Sequence, residues 1–355
     1  MSQRRRLVFL GLSITSSWGN GHATTYRGLL AALAARGHEL LFLERDVPYY
    51  ACARDLPAPP YCALGLYGSF EELVDRFGAA VREADAVILG SYVPEGTRVA
   101  AFLLETARGA RVFYDLDTPE TLAQLARGDH RYASPAVIPR FDLVLSFTGG
   151  PTLQRLVVEH GARRARPLYC AADPEEYRPE PAELRWDLGY LGTFAADRQA
   201  TLTTLLIEPA RRFPEGRFMV AGAQYPAEIA WPENVERADH VEPAVHRGFY
   251  NAQRFTLNVT RRRMVEAGYS PSVRLFEAAS CGVPVISDAW PGLEEIFEPG
   301  REILVAASPE EVLALLRELP ESGRVAIGKR ARARALAEHT AAHRAEALER
   351  YLSEI

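Results

Sequence analysis

Short continuous apolar runs alternate along this chain with stretches whose apolar positions return at helical spacing. The first run predicts a buried strand over 7–14. A helix over 24–36 follows, stopped by Gly37 in the C′ position. Further runs predict strands over 39–43, 86–89, 112–114 and 143–147, with helices over 70–83 and 98–107 between them. Strands alternating with helices imply a mostly parallel sheet covered on both faces.

The alternation breaks over 170–186, where Asp173-Pro174 and Arg178-Pro179-Glu180-Pro181 gather charge and proline. It resumes with strands over 188–191, 217–221, 255–259 and 283–287 and helices over 198–213 and 271–280. Residues 324–352 read as one long Ala/Arg/Glu helix. The expectation is two doubly wound α/β units in tandem: an N-terminal domain over 1–172, a linker over 173–186, a C-terminal domain over 187–328 and a terminal helix over 329–355.

Composition supports that size. The chain has 355 residues, 48% of them hydrophobic and 25% charged, enough for two cores. A formal net charge of −5 speaks against a dedicated nucleic-acid binder, and the apolar content against disorder. Lys329 is the only lysine, so any single arginine carries little weight. Cys52, Cys62, Cys170 and Cys281 form no CxxC pair, which fits a reducing, cytoplasmic location. His38, His240 and His246 lack paired spacing, and no metal site is expected. The N-terminus reads as a basic tail and a first strand rather than a signal peptide, and no apolar run is long enough to span a bilayer.

The segment from Ser270 to Gly282 carries a full set of helix signals. Ser270 suits the N-cap, Pro271 the first helical position and Gly282 the stop before the next strand. Such a helix presents free amides at Ser272 and Val273, which with the hydroxyls and the helix dipole suit a pyrophosphate. Glu277, seven residues past Ser270, lies about two turns deeper on nearly the same face, where a carboxylate can accept both hydroxyls of a ribose. The plainer alternative is a capped surface helix in which Glu277 pairs with Arg274.

The run Glu277-Ala-Ala-Ser-Cys-Gly282-Val-Pro-Val-Ile-Ser-Asp288 resembles the donor-binding helix of GT-B glycosyltransferases, and in particular the CgeB-like group named after a spore maturation protein. The resemblance is specific over the C-terminal half and looser over the N-terminal half. It implies two Rossmann-like domains facing a cleft, a C-terminal helix crossing back, and sugar transfer from a nucleotide-diphosphate sugar to an acceptor hydroxyl without metal or other cofactor. In many retaining members an acid stands eight positions before the ribose glutamate. Tyr269 occupies that place here, so retention and inversion both stay open. The terminal arginines, 324–344, either cross back onto the first domain or meet an anionic membrane, as in peripheral glycosyltransferases. The absence of Trp or Phe anchors favours the first.

The remaining candidates stand at strand ends. Gly192 and Thr193 follow a strand, and Arg198 offers a donor fork to phosphate from the helix beyond. Arg274 joins them on the donor side. Arg261, Arg262 and Arg263 close a further strand, with no ground for choosing among them. In the first half, Gly19 and Gly21 lack the third glycine of a dinucleotide fingerprint, which disfavours a nicotinamide enzyme. His22 in that loop suits a general base or a donor to the sugar, or is a helix-start histidine held by local backbone. Asp117, at the end of another strand, suits acceptor activation or an N-cap. The same motifs serve a nucleotide-sugar epimerase or a non-catalytic binding subunit, and oligomeric state is not readable.

Overall fold

The computed structural model describes residues 4–355, so the first three residues of the expected basic tail lie outside the described residues. The chain divides into two compact units, Met1–Cys170 with Ala341–Ile355, and Ala171–Thr340.

The first unit is built on seven parallel strands: β1 Arg6–Gly11, β2 Glu39–Arg45, β3 Ala63–Tyr67, β4 Ala86–Gly90, β5 Ala110–Asp115, β6 Leu143–Ser146 and β7 Ala165–Pro167. Their order across the sheet is β3-β2-β1-β4-β5-β6-β7. Successive residues of β1 face opposite ways, as the period of a strand requires. Val8 and Leu10 join Leu43, Val87, Leu89 and Phe113 in one core. Leu7 and Phe9 join Phe42, Ile88, Tyr114 and Leu145 in the other. Both faces are therefore buried, which is why these strands read as unbroken apolar runs.

The second unit repeats the plan with six parallel strands: β8 Trp186–Leu191, β9 Phe218–Ala221, β10 Val235–Ala238, β11 Gln253–Asn258, β12 Val285–Ser287 and β13 Leu304–Val305. Their order is β10-β9-β8-β11-β12-β13.

Three sequence expectations need correction. The first strand ends at Gly11, not 14. The fully buried Glu44 carboxylate accepts from Ile14 N at 2.7 Å, Thr15 N at 3.1 Å, Ser13 Oγ at 2.8 Å and Thr15 Oγ1 at 2.6 Å, drawing that backbone out of the ladder.

Residues 173–186 are not a detached linker. They lie inside the second unit, where Tyr177 is buried and Glu180 N donates to Asn251 Oδ1 at 3.1 Å.

The terminal helix is two helices, Glu321–Glu338 and Ala341–Ser353. His339 breaks the run with φ −127° and ψ 26°, and Thr340 bridges to Ala172. Only Ala341–Ser353 belongs with the first unit, where Ala345, Leu348, Tyr351 and Leu352 complete the core beneath the helix Gly21–Ala35. The arginines of the longer helix are used within the second unit: Arg324, Arg330 and Arg332 donate to the carbonyls of Arg254, Arg301 and Ser280. Among the described residues no helix is long and apolar enough to cross a membrane.

Candidate functional site

In the second unit β8 and β11 are adjacent, and the strand order runs outward from them in both directions. Open α/β sheets bind ligands outside the carboxyl ends of such a pair. Gly192 and Thr193 follow β8 directly, and the helix Val273–Ser280 lies beyond β11.

Arg274 ties the two strand ends together. Its Nε donates to Leu191 O at 2.6 Å, its Nη1 donates to Asn258 Oδ1 at 2.9 Å, and its guanidinium lies 4.8 Å from the Tyr190 ring centroid. Asn258 is a buried hub. Its Oδ1 also accepts from Ser272 Oγ at 2.7 Å, and its Nδ2 donates to Thr260 Oγ1 at 3.2 Å and Ser287 Oγ at 3.0 Å. Asp288 accepts from Thr260 N and Oγ1 on the same edge, and burial raises its pKa.

The cap expected at Ser270 is displaced. Ser272 is the N-cap residue, with φ −74° and ψ 151°, and its hydroxyl serves Asn258 rather than the helix. Ser270 Oγ donates to Gly268 O at 2.9 Å within a turn in which Gly268 (φ +67°) and Tyr269 (φ +48°) are both left-handed. The amides of Val273 and Arg274 open the helix, ahead of the first bond from Leu275 N to Ser272 O at 3.1 Å. The later start places Glu277 at the fifth helical residue, nearer the tip than expected. Glu277 is buried and does not pair with Arg274. Its Oε2 accepts from Tyr250 OH at 2.7 Å, and the Tyr177 hydroxyl is a second partner. Burial, then the Glu277 charge, pushes both phenols well above their usual range.

On the other flank the loops after β8 and β9 press together. A Cβ on Gly222, whose φ is +155°, would lie 2.0 Å from Gly192 O, so only glycine fits there. Tyr225 OH donates to Gly192 O at 2.9 Å, and Arg198 Nη2 donates to Thr193 O at 2.6 Å. Arg198 thus turns back on its own loop, while its buried Nε has no partner in the protein. Of the three adjacent arginines, Arg261 pairs with Asp197 at 3.4 Å beside this loop, whereas the exposed Arg262 pairs with Glu266 at 2.8 Å.

The sequence reading gave no role of their own to Asn258, Asp288, Tyr250 and Tyr177. The first two carried a signal, since each is a polar residue closing an apolar strand.

The first unit places His22 and Asp117 at the carboxyl edge of its own sheet. Asn20 caps the helix that carries His22, accepting from His22 N at 3.1 Å. The His22 ring lies 5.7 Å from Tyr92, its Nδ1 has no protein partner, and desolvation lowers its pKa to about 4, so the imidazole is neutral at physiological pH. Asp117 is the N-cap residue of Thr118–Ala126, but its side chain does not cap. Its Oδ2 accepts from Tyr92 OH at 3.0 Å. Tyr92 itself is left-handed at φ +63°, a strain of the kind that clusters at functional sites.

Residues 198–350 match a family model described as glycosyl transferase-like. No curated protein sequence matches the chain significantly. Among solved structures, a sucrose-phosphate synthase from Thermosynechococcus elongatus superposes with a TM-score of 0.72 at 16% identity, covering 99% of both chains. HepE from Anabaena, in complex with UDP and glucose, gives 0.74 at 15% identity, covering 99% of this chain and 100% of that one. An α-glucosyltransferase in complex with UDP and a 13-mer DNA gives 0.73 at 11% identity over the same shares. At such identities these likenesses establish the fold. With that architecture over the whole chain, the protein has the GT-B fold, and its residues 198–350 are similar to the glycosyl transferase-like family.

Proposed function

We propose that the protein transfers a sugar from a nucleotide-diphosphate sugar to an acceptor hydroxyl, without a bound metal, as a member of the CgeB-like group. The observation that carries this reading is the bridge Arg274–Asn258–Ser272 across the ends of β8 and β11, beside the opening amides of Val273–Ser280. A guanidinium, free amides and a helix dipole stabilise the charge that develops on a leaving diphosphate. Gly192, Thr193 and Arg198 border the same edge, Ser270 shapes the turn into the helix, and Glu277 is the ribose acceptor. UDP-sugars are the first donors to try, because the HepE and α-glucosyltransferase structures hold UDP. On the acceptor side, Asp117 takes the hydroxyl proton and neutral His22 orients the sugar. Direct displacement with Asp117 as base inverts the anomeric centre, whereas retention, the other outcome the sequence left open, has the leaving diphosphate take that proton.

A panel of nucleoside diphosphates and their sugars, screened by thermal stabilisation and then by product analysis, tests the reading. UDP or another nucleoside diphosphate should raise the melting temperature, and Glu277→Ala should abolish most of that rise. If no nucleotide stabilises the protein, the donor site is wrong. An epimerised donor formed without acceptor selects an epimerase, and a product of unchanged anomeric configuration selects retention and removes Asp117 as the base.

A further inference from the structure

Asp115 and Tyr26 are fully buried in the first unit, and each keeps a polar atom, Asp115 Oδ2 and Tyr26 OH, without a hydrogen-bond partner in the protein. The two share one interior, since the Asp115 charge acts on the Tyr26 phenol. Space for the Tyr26 hydroxyl exists only because residue 90 is glycine: a Cβ there would lie 1.8 Å from it. The other carboxylate oxygen, Asp115 Oδ1, accepts from Asp117 N at 3.1 Å and from Thr121 Oγ1 at 3.0 Å. It therefore pins the turn that presents Asp117 and the first turn of Thr118–Ala126 behind it.

We propose that Asp115 is a positioning residue for sugar transfer that acts through Asp117, shaping the turn that carries the Asp117 carboxylate and setting, by its own charge, how strongly that carboxylate holds a proton. This rests on the transferase reading above. In the step itself, the acceptor oxygen bonds to the anomeric carbon while the bond from that carbon to the diphosphate oxygen breaks. Its electron pair leaves on the diphosphate, and the hydroxyl proton passes to Asp117. Asp115 forms no bond to substrate.

The groups facing Asp115 are Tyr26 from the helix Gly21–Ala35, Ser91 after β4, and Asp117 and Thr121 at the start of Thr118–Ala126. Tyr92, bonded to Asp117, also feels Asp115 and Glu120. Burial disfavours the Asp115 anion most, the bonds from Asp117 N and Thr121 oppose that, and the Asp117 charge adds to it, leaving a midpoint of about 7. Below that midpoint Asp115 is neutral. Above it a second negative charge stands beside Asp117 and makes it the stronger base.

The experiment is release of UDP from UDP-glucose, with water as acceptor, followed from about pH 5 to about pH 9. The wild-type rate should rise with a midpoint of about 7. Asp115→Asn should remove the rise, lowering the rate roughly tenfold at about pH 8 and little at about pH 6, whereas Asp117→Asn should lower it roughly a hundredfold throughout. If Asp115→Asn does not fold, Thr121→Val, which deletes a bond favouring the anion, should move the midpoint upward by about half a pH unit or more. A rise that persists in Asp115→Asn, or a midpoint unmoved in Thr121→Val, overturns the proposal. Stabilisation by UDP separates the two failures. If UDP binds while the rise persists, the role of Asp115 falls and the transferase stands. If no nucleoside diphosphate binds and none is released from its sugar, both fall.

Discussion

The carboxyl edges of the two sheets occupy the same topological place and carry opposite chemistry. In the second unit the ends of β8 and β11 are joined by a cation and an amide: Arg274 takes the Leu191 carbonyl, and Asn258 satisfies Arg274, Ser272, Thr260 and Ser287 at once. In the first unit the end of β5 carries Asp115 and Asp117, and the helix after β1 adds a neutral His22, with polar atoms of Asp115 and His22 left without protein partners. Parallel strands end alike as backbone, so the fold fixes where ligands meet the sheet and the side chains decide which charge is welcome. A satisfied cationic edge suits an anion that stays put. An acidic edge with spare acceptors suits a hydroxyl that must give up a proton.

That division breaks most directly at Arg274. Arg274→Lys cannot bond Leu191 O and Asn258 Oδ1 with one planar group, and UDP affinity measured by calorimetry should fall on the order of a hundredfold. Asp117→Asn should leave that affinity unchanged. Equal losses in the two variants would erase the distinction between the edges. Asn258→Ala should follow, with a loss of about 2–4 kcal/mol in urea unfolding of the second unit, because Arg274 and Ser272 both lose their acceptor. A change below about 0.5 kcal/mol would show that Asn258 is not the hub its bonds suggest.

A smaller effect belongs to the first unit alone. Glu349 on Ala341–Ser353 accepts from Arg36 Nε at 2.8 Å and Nη2 at 2.5 Å and meets His38 Nε2 at 2.7 Å, and these bonds, Arg36 first, hold its pKa down to about 2. A depressed carboxylate contributes stability that is present above its unfolded pKa and is lost as pH falls through the folded one. The clasp should therefore weaken between about pH 4.5 and about pH 2 by on the order of 1–2 kcal/mol, allowing for the half-exposed Arg36. Glu349→Gln should flatten acid unfolding of the first unit over that window, and an unchanged profile would remove the clasp from the stability of the terminal helix. The smallest change is expected at Tyr225→Phe, which loses one bond to Gly192 O at a cost of about 1 kcal/mol or less in stability and only a few-fold in UDP affinity.

Much of the fold was legible because both faces of each sheet are buried. Val8, Leu10, Leu7 and Phe9 all had to be apolar, and the helix Phe70–Glu83 lay where its periodicity put it. Elements with weak apolar content escaped: β7 has three residues and β13 two, too few to show a period. The break at His339–Thr340 contains neither glycine nor proline, so nothing local marked it, and contacts of His339 with Ile296 O and of Thr340 with Ala172 take the place of helix there. On the edge of the second sheet the motif around Glu277 stood out, yet the cap was misplaced by two residues because Ser270 and Ser272 are equivalent caps in one dimension. Asn258, distant in sequence from both Ser272 and Leu191, decided between them.

The sequence by itself determined two parallel α/β units and the helix between β11 and β12, because burial of apolar strands and the chemistry of a helix start are short-range and periodic. Only the tertiary structure decided that Ala341–Ser353 completes the first core, that Arg274 serves a carbonyl and an amide rather than Glu277, and that Asp115 is buried with a spare oxygen while Asp117 is held by Tyr92. Those outcomes depend on which strand ends become neighbours. Residues far apart in the chain meet there, and desolvation at the meeting point sets each group's charge.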